Sequence, residues 1–250
     1  MPEPLLALLC AFGVLQLALF STTVYLHRFS AHQAITLKPW LKITFRVLIW
    51  LTTGVKPREW AAVHRKHHAF TDVEGDPHSP LLLGLWKVEF LNALYYRRVA
   101  RDGVTVDRYA RDLAPDKLDR VLFDHAFLGL GLGIGILCLA LGWQWGLLAS
   151  FLHAAAYLLI NAGVNSFGHM YGKQPYPNTA HNLQFLALIS SGEGLHNNHH
   201  AAPTSARLAL NPGEIDTGWW LIRLLVMTKQ ATVRLDAPVF KPPKSAVQVS

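Results

Sequence analysis

Cysteine and charged residues are both scarce in this chain, and each shortage excludes a class of protein. Only 2 of the 250 residues are cysteines, and both lie in apolar stretches. They cannot form a disulfide framework, and their positions match no cysteine-based metal site. Charged residues make up 16% of the chain and hydrophobic residues 51%. This balance is too apolar for an ordinary soluble domain and indicates a membrane protein.

Lysine and arginine are absent from two long blocks, residues 1–27 and 121–172. All 23 basic residues lie in 28–120 or in 173–244. Alternation of this kind is typical of membrane spans separated by cytoplasmic segments. We therefore attribute the net charge of +7 to contact with membrane lipid, and we expect no nucleic-acid partner.

Histidine, in contrast, is plentiful and clustered. Eight of the 13 histidines lie in three short boxes, HRFSAH at 27–32, HRKHH at 64–68 and HNNHH at 196–200. The second and third boxes share the spacing i, i+3, i+4, which falls on one face of a helix. A single buried imidazole is usually a hydrogen-bonded core residue. Three boxes in one apolar chain indicate a metal site instead, because neutral imidazole is the commonest metal ligand.

Three apolar stretches are long enough to cross a bilayer, at about residues 5–26, 122–141 and 147–167. The last two are close enough in sequence to form a hairpin. A fourth stretch, 40–55, is shorter and contains two basic residues. If the three boxes bind one metal cluster, they lie on one side of the membrane, and this stretch cannot cross. We predict that it forms an in-plane or re-entrant helix.

These patterns predict an all-α, multi-pass integral membrane protein, with residues 1–250 forming a single domain. It would have about three transmembrane helices and a cytoplasmic helical cap that carries the histidine boxes. The twelve basic residues in 56–120 place the metal side in the cytoplasm and the N-terminus outside. The tail, about residues 238–250, is expected to be flexible.

Several motifs within roughly residues 20–205 resemble the membrane fatty acyl desaturases, especially the stearoyl-CoA (acyl-CoA Δ9) type. HRFSAH resembles the first box of that family, and EWAAVHRKHH at 59–68 resembles the second, followed by Asp-Pro-His at 76–78. NSFGH at 165–169 is similar to the segment that ends the last span. GEGLHNNHH at 192–200 resembles the third box.

The resemblance implies a non-haem di-iron site held by nine histidines, with an asparagine that reaches one iron through a water. The corresponding residues are His27, His32, His64, His67, His68, His169, His196, His199, His200 and Asn165. Spacing alone supports the eight box histidines, and His169 is added by the resemblance. Glu193, three residues before His196, is a candidate to support a ligand from outside the coordination sphere.

The resemblance also suggests three substrate-binding residues. Trp60 would lie near the bend of an acyl tunnel, although it could equally be a core aromatic residue. Leu15 and Leu19 would line the far end of the tunnel and limit chain length, although they could equally be lipid-facing leucines.

The implied activity is insertion of a cis double bond into a saturated fatty acyl chain near the ninth carbon. Two Fe²⁺ ions would use dioxygen as oxidant, whereas redox-silent zinc could not. We expect acyl-CoA as the carrier, with a membrane phospholipid as the alternative. Electrons would come from a separate ferredoxin-, rubredoxin- or cytochrome-type donor and its reductase.

Two other functions fit parts of the pattern. A related di-iron enzyme could hydroxylate a lipid or a carotenoid, because the same oxidant can return oxygen to carbon. A metal-binding membrane transporter or sensor would instead need ligands along a path through its spans. The boxes lie at the ends of the spans, which disfavours transport.

Overall fold

The computed structural model of the protein describes residues 2–235 and 237–241, and the predicted flexible tail lies outside the described residues from 242 onward. Its helices are α1 Glu3–Ser21, α2 Pro39–Thr52, α3 Pro57–Phe70, α4 Pro80–Leu83, α5 Leu85–Ala100, α6 Gly103–Tyr109, α7 Ala126–Leu141, α8 Trp143–Ser166, α9 Gln184–Ile189, α10 His196–Ala201 and α11 Thr217–Met227. Two π-helical segments, Thr22–Ala31 and Asp119–Phe123, and a 3-10 turn, Phe167–His169, complete the helical part. Two three-residue strands, β1 Ile35–Leu37 and β2 Ala231–Val233, pair antiparallel. The prediction of an all-α protein is confirmed.

Prolines and glycines set several helix boundaries. Pro39 and Pro57 occupy the first positions of α2 and α3, where the fixed φ of proline suits a helix start and its missing N–H costs nothing. Gly54 and Gly142 have φ values of 64° and 80°, which glycine adopts without the penalty that a Cβ brings. Gly142 alone separates α7 from α8, so α8 begins four residues before the predicted start of the third span.

Among the residues that the structure describes, two helices are long and apolar enough to cross a membrane. α1 continues through its π-helical segment as one 29-residue helix, Glu3–Ala31, and α8 continues through its 3-10 turn as the 27-residue helix Trp143–His169. At about 1.5 Å per residue each is roughly 40 Å long, which exceeds the ~30 Å hydrocarbon core. The predicted middle span is the shorter apolar helix α7, which begins four residues later than predicted.

α1 and α8 run side by side in the same direction. Near their N-terminal ends, Trp145 Nε1 donates to Glu3 Oε2 over 2.7 Å, and further along the hydroxyls of Thr22 and Tyr157 are 2.8 Å apart. Because the two helices run in the same direction, their C-terminal ends lie at the same end of the bundle. Those ends carry His27 and His169.

The C-terminal end of α2 packs against α7 and makes a hydrogen bond to α8. Trp50 Nε1 donates to the carbonyl of His125 over 3.0 Å, and His153 Nε2 donates to the carbonyl of Thr52 over 2.8 Å. α2 therefore packs against two apolar helices and then turns back at Gly54 into α3. These contacts suit the re-entrant form of the predicted helix, which remains a prediction.

Two glycines of α7 allow α2 to approach closely. A Cβ atom on Gly129 would lie 2.4 Å from the carbonyl oxygen of Trp50, and one on Gly133 would lie 2.2 Å from that of Leu51. Both distances are impossible for real atoms, so the glycine spacing i, i+4 is required by the α2–α7 contact. Gly131, between them, has open space at its Cβ position.

We expect Gly133→Ala to lower the melting temperature by about 2–12 °C. Forcing one methyl group into a packed contact costs about 1–3 kcal/mol, and each kcal/mol shifts Tm by about 2–4 °C in a chain of this size. Gly131→Ala is the matched control on the same helix and should not lower Tm, because the added methyl group meets no atom and alanine favours a helix more than glycine does. Thermal unfolding of both purified variants in the same detergent measures the difference. Equal Tm values would contradict the close α2–α7 contact.

Candidate metal centre

Nine histidines converge at one end of the helix bundle in two adjacent clusters. The first contains His27, His32, His64, His68 and His199, and the second contains His67, His169, His196 and His200. Within the first, neighbouring Nε2 atoms lie 2.7–3.1 Å apart. Within the second they lie 3.0–3.3 Å apart. The rings of His68 and His200 stack with centroids 4.4 Å apart, so the clusters adjoin.

The nitrogen spacing fits metal coordination better than hydrogen bonding. Two nitrogens bound at right angles about 2.1 Å from one ion lie about 3.0 Å apart, which matches both clusters. Hydrogen bonding cannot account for the first cluster, because His64 Nε2 contacts His32 and His68 while His199 Nε2 contacts His27 and His68. Each nitrogen carries at most one proton, and one proton cannot be directed well at two neighbours. Bare lone pairs that converge in this way need a cation between them.

The π-helical segment explains the five-residue spacing of the first box. In a π-helix the amide of residue i+5 bonds to the carbonyl of residue i, and here the His32 amide donates to the His27 carbonyl over 3.0 Å. An α-helix would turn residues i and i+5 well away from each other. The wider π turn brings the two imidazoles together, with ring centroids 4.8 Å apart.

The two asparagines of the third box hold the surrounding loops in place through hydrogen bonds. Asn197 Nδ2 donates to the carbonyls of Tyr176 and Ala180. Asn198 Nδ2 donates to Glu214 Oε2 over 2.6 Å and to the carbonyl of Leu208 over 2.8 Å. The histidines of α10 face the metal centre while the asparagines between them hold the surrounding chain.

Two arginines hold the first box in position. Arg28 is 1% exposed and pairs with Asp216, which also caps α11. Arg65, within the second box, donates to the carbonyls of Ser30 and Ala31 at 2.8 Å each. A buried charge pair is costly to break, so these contacts fix α1 relative to α3 and α11.

Three carboxylates contact the outer nitrogens of the histidines. Glu193 Oε2 lies 2.6 Å from His27 Nδ1. Asp76 Oδ1 lies 3.0 Å from His67 Nδ1, and Asp72 Oδ2 lies 2.7 Å from His169 Nδ1. A carboxylate at Nδ1 keeps the proton there, so Nε2 is bare and points into its cluster, as a metal ligand requires. The contact between Glu193 and His27 supports the role predicted for Glu193, which remains a prediction.

Burial and mutual contact keep the ligands neutral. Burial, reinforced by neighbouring histidines, lowers the pKa well below the usual value for six of them: His32, His64, His68, His196, His199 and His200. Burial alone would raise the pKa of Asp72, but the hydrogen bond and electrostatic effect of His169, together with hydrogen bonds from Ser79 and Thr179, outweigh burial and hold the pKa well below its usual range. Neutral imidazoles and ionised carboxylates are the forms that metal binding requires.

An apolar cavity of about 400 Å³ extends from the metal centre between α3, α5 and α8. His64, His196 and Asn165 line it, together with Trp60 and Tyr157. Trp60 stacks on His64, with ring centroids 4.8 Å apart. The cavity therefore brings an apolar ligand directly against the histidines.

Asn165, Leu15 and Leu19, the other residues predicted at the site, differ in their position relative to the cavity. Asn165 faces it, and its amide nitrogen also donates to the Asn161 carbonyl over 3.3 Å. Leu15 and Leu19 are 9% and 3% exposed and pack against Tyr157. They lie behind the cavity wall, so any effect on its length would act through Tyr157.

Sequence reasoning missed the roles of Asp72, Asp76 and Tyr157. Asp76 lies in the Asp-Pro-His motif that resembles the family, but the motif alone does not predict its contact with His67. Asp72 lies two residues after the end of α3 and adopts a φ of 58°, which asparagine and aspartate tolerate best among residues with a Cβ. An aspartate four residues after the second box was the available signal.

We expect Asp72→Asn to weaken iron binding about 10–100-fold, the usual cost of losing a carboxylate that orients a histidine ligand. The amide could no longer hold the His169 Nδ1 proton as a carboxylate does. Iron retained during titration with a chelator measures the change. Asp107→Asn is the matched control, because the Asp107 side chain is 74% exposed and pairs with Arg58. Equal iron retention in the two variants would show that Asp72 does not support the site.

Known proteins match the chain over most of its length. The family model for fatty acid desaturases matches residues 3–211. Delta-9 acyl-lipid desaturase 1 of Arabidopsis thaliana is 31% identical, covering 84% of this chain and 69% of that protein. The sn-2 palmitoyl-lipid 9-desaturase of Nostoc sp. (strain 36) is 34% identical, covering 80% and 70%. Acyl-CoA 5-desaturase AL21 of Anemone leveillei is 32% identical, covering 89% and 70%.

These matches agree with the geometry of the site. The matched range includes all three histidine boxes, His169 and the cavity-lining parts of α3, α5 and α8. The chain therefore belongs to the fatty acid desaturase family and is a membrane oxidoreductase of lipid metabolism.

Proposed function

We propose that the protein is a di-iron, dioxygen-dependent desaturase that introduces a cis double bond into a saturated fatty acyl chain near the ninth carbon. The observation that carries the proposal is the pair of adjacent histidine clusters at the inner end of an apolar cavity. Two of the three relatives described above are named for action at position nine, and the third is named for position five. The position of the double bond is therefore the part of the proposal that rests on the names of the relatives.

In this proposal the nine histidines hold two iron ions, and Asn165 reaches one of them through a water. When bound, iron supplies the oxidising power of dioxygen that an unactivated methylene requires. Overall, two hydrogens leave adjacent carbons, and dioxygen becomes two waters. Two further electrons and two protons enter from outside. A separate ferredoxin-, rubredoxin- or cytochrome-type protein, with its reductase, supplies the electrons.

The chain's own residues position the substrate and the ligands. The apolar walls formed by Trp60, Val63 and Ala162 exclude water and hold the acyl chain beside the histidines. Asp72, Asp76 and Glu193 hold protons on the outer nitrogens of their histidines. The basic segment before α7 favours a metal centre on the cytoplasmic side of a multi-pass protein with its N-terminus outside.

The fatty acid profile of a host that expresses the chain tests the proposal. We expect a new cis-monounsaturated acid that disappears in a His67→Ala, His68→Ala variant, and its double-bond position shows the regiochemistry. A hydroxylated product would instead favour the lipid or carotenoid hydroxylase, because an alcohol and an alkene differ in mass. Metal transport without consumption of dioxygen would favour the transporter. An unchanged profile in a host with a working electron donor would overturn the desaturase proposal.

A further inference from the structure

One carboxyl group lines the apolar cavity without contacting a histidine. Among the residues that the structure describes, the cavity has two acidic lining residues, Glu89 on α5 and Glu193. The Glu193 carboxylate is committed to His27, whose Nδ1 it contacts over 2.6 Å. Glu89 forms no ion pair with a lysine, an arginine or a histidine within the described part of the chain. Its charge is therefore not balanced by a neighbour, and its proton is not shared with a metal ligand.

Glu89 lies toward the end of the cavity that adjoins the second histidine cluster. Ser166 Oγ donates to Glu89 Oε2 over 2.6 Å. Ser166 is fully buried and is the last residue of α8, directly after Asn165 and three residues before His169. Asn165 lines the same cavity as Glu89. The hydrogen bond therefore holds the carboxyl group beside the chain that carries a ligand into the second cluster.

The surroundings of Glu89 favour its protonated form. Burial raises the pKa of the carboxyl group, and the hydrogen bond from Ser166 offsets only part of that rise. These are the two causes of the shift, and no charged neighbour is among them. The titratable side chains that flank Glu89 on α5 or line the cavity with it are Lys87, Tyr96, His64, His78, Tyr157, Glu193 and His196. A carboxyl group that keeps its proton in an apolar site is suited to act as a general acid.

The proposed reaction needs such a proton source. Conversion of dioxygen to two waters takes four protons and four electrons. The two hydrogens that leave the acyl chain account for two of each, and the other two of each enter from outside. Because the apolar walls of the cavity exclude water, the protons that enter must be carried by a side chain of the protein.

We propose that Glu89, held in place by Ser166, donates the protons that enter the metal centre from outside during the reduction of dioxygen. The inference rests on the proposed function and adds a proton donor to it. For each proton, the O–H bond of the Glu89 carboxyl group breaks and an O–H bond forms on an oxygen atom that comes from dioxygen. No electron passes through Glu89, because the electrons come from the separate donor protein. Glu89 is half-buried, so the carboxylate left behind takes up its next proton from water at the edge of the bundle.

Infrared spectroscopy measures the protonation of Glu89 without turnover. We expect the native protein to show the carbonyl band of a protonated carboxyl group at a pH well above about 4.3, the ordinary pKa of glutamic acid. The band should shift in D₂O and be missing from Glu89→Gln. Glu74→Gln is the matched control, because Glu74 is exposed and does not line the cavity, and it should keep the band. A native protein without this band above the ordinary pKa would overturn the proposal.

A single-turnover experiment tests proton donation itself. Iron-loaded protein in vesicles that contain both deuterated stearoyl phospholipid and deuterated stearoyl-CoA is reduced with dithionite and exposed to dioxygen. Glu89→Gln should form monoene about 100-fold more slowly, within the usual contribution of a general acid, with its iron content unchanged. Glu89→Asp, which retains an acidic proton, should recover at least about a tenth of the native rate. Glu74→Gln should match the native protein.

Chemical rescue distinguishes a proton donor from a residue that only supports the fold. Glu89→Ala leaves room in the cavity for acetic acid, which should speed monoene formation by that variant roughly tenfold or more. Acetic acid should not speed Glu89→Gln, whose side chain still fills the site. Rescue of neither variant, or of both equally, would overturn proton donation by Glu89.

The remaining outcomes separate the inference from the proposed function. A native rate from Glu89→Gln that keeps its iron would overturn proton donation and leave the desaturase proposal intact. Loss of iron from both Glu89→Gln and Glu89→Asp would show that Glu89 supports the ligands, and would overturn proton donation as well. No monoene from native protein that holds two irons would overturn the proposed function itself.

Discussion

Replacing His199 with alanine is expected to reduce desaturation more than about 100-fold, because loss of a ligand should exceed the cost of losing a residue that merely orients one. His199 Nε2 lies 3.1 Å from His27 Nε2 and 2.7 Å from His68 Nε2, at the centre of the first cluster. The second cluster, His67, His169, His196 and His200, does not use it. The variant should therefore retain one iron of the two.

Iron per chain, measured by mass spectrometry on purified protein, tests this expectation together with product formation. His125→Ala is the matched control, because His125 is exposed at the start of α7 and belongs to neither cluster. It should keep two irons and full activity. A His199→Ala protein that kept two irons and full activity would show that the first cluster does not hold metal as described.

Filling the cavity should abolish activity without touching the metal. Ala162 is 2% exposed and lines the cavity on α8. Ala162→Trp should lower product formation about 100-fold or more, equivalent to about 3 kcal/mol of lost transition-state binding. Iron content should stay at two per chain, because no histidine is altered.

Ala154→Trp is the control for the Ala162 variant. Ala154 lies on the same helix but is exposed and does not line the cavity, so the same new side chain would project outward. We expect near-normal activity and iron content from it. If Ala162→Trp also remained active, the acyl chain would have to bind elsewhere. If it lost its iron, the substitution would have disturbed the ligands, and the smaller Ala162→Leu would then separate blockage from distortion.

The sequence was sufficient to predict the ligand-bearing elements because their periodicity is local. The spacing of the second and third boxes puts each set of histidines on one helix face, and α3 and α10 are the helices that result. The apolar blocks likewise predicted α1, α7 and α8, since long uncharged stretches are read from composition alone. The predicted helix ends were less accurate, because the ends of α7 and the start of α8 are set by local turns before Ala126 and at Gly142.

Other parts of the site depend on contacts between distant segments. Asp72 reaches His169 across 97 residues, and Glu193 reaches Thr23 and His27 across about 170. No periodic pattern encodes such pairs. The π-helical segment was also missed, although HxxxxH fits a helix with i to i+5 bonds. The five-residue spacing of HxxxxH could therefore have indicated the π-helical segment.

The central claim is that two histidine clusters hold two iron ions beside the cavity. The most direct test is the metal content of the purified protein, measured for iron and zinc together, with Mössbauer spectroscopy of ⁵⁷Fe-grown protein to show whether the irons are coupled. We predict two irons per chain, both bound by nitrogen-rich ligands. One metal per chain, or zinc in place of iron in active protein, would contradict the account.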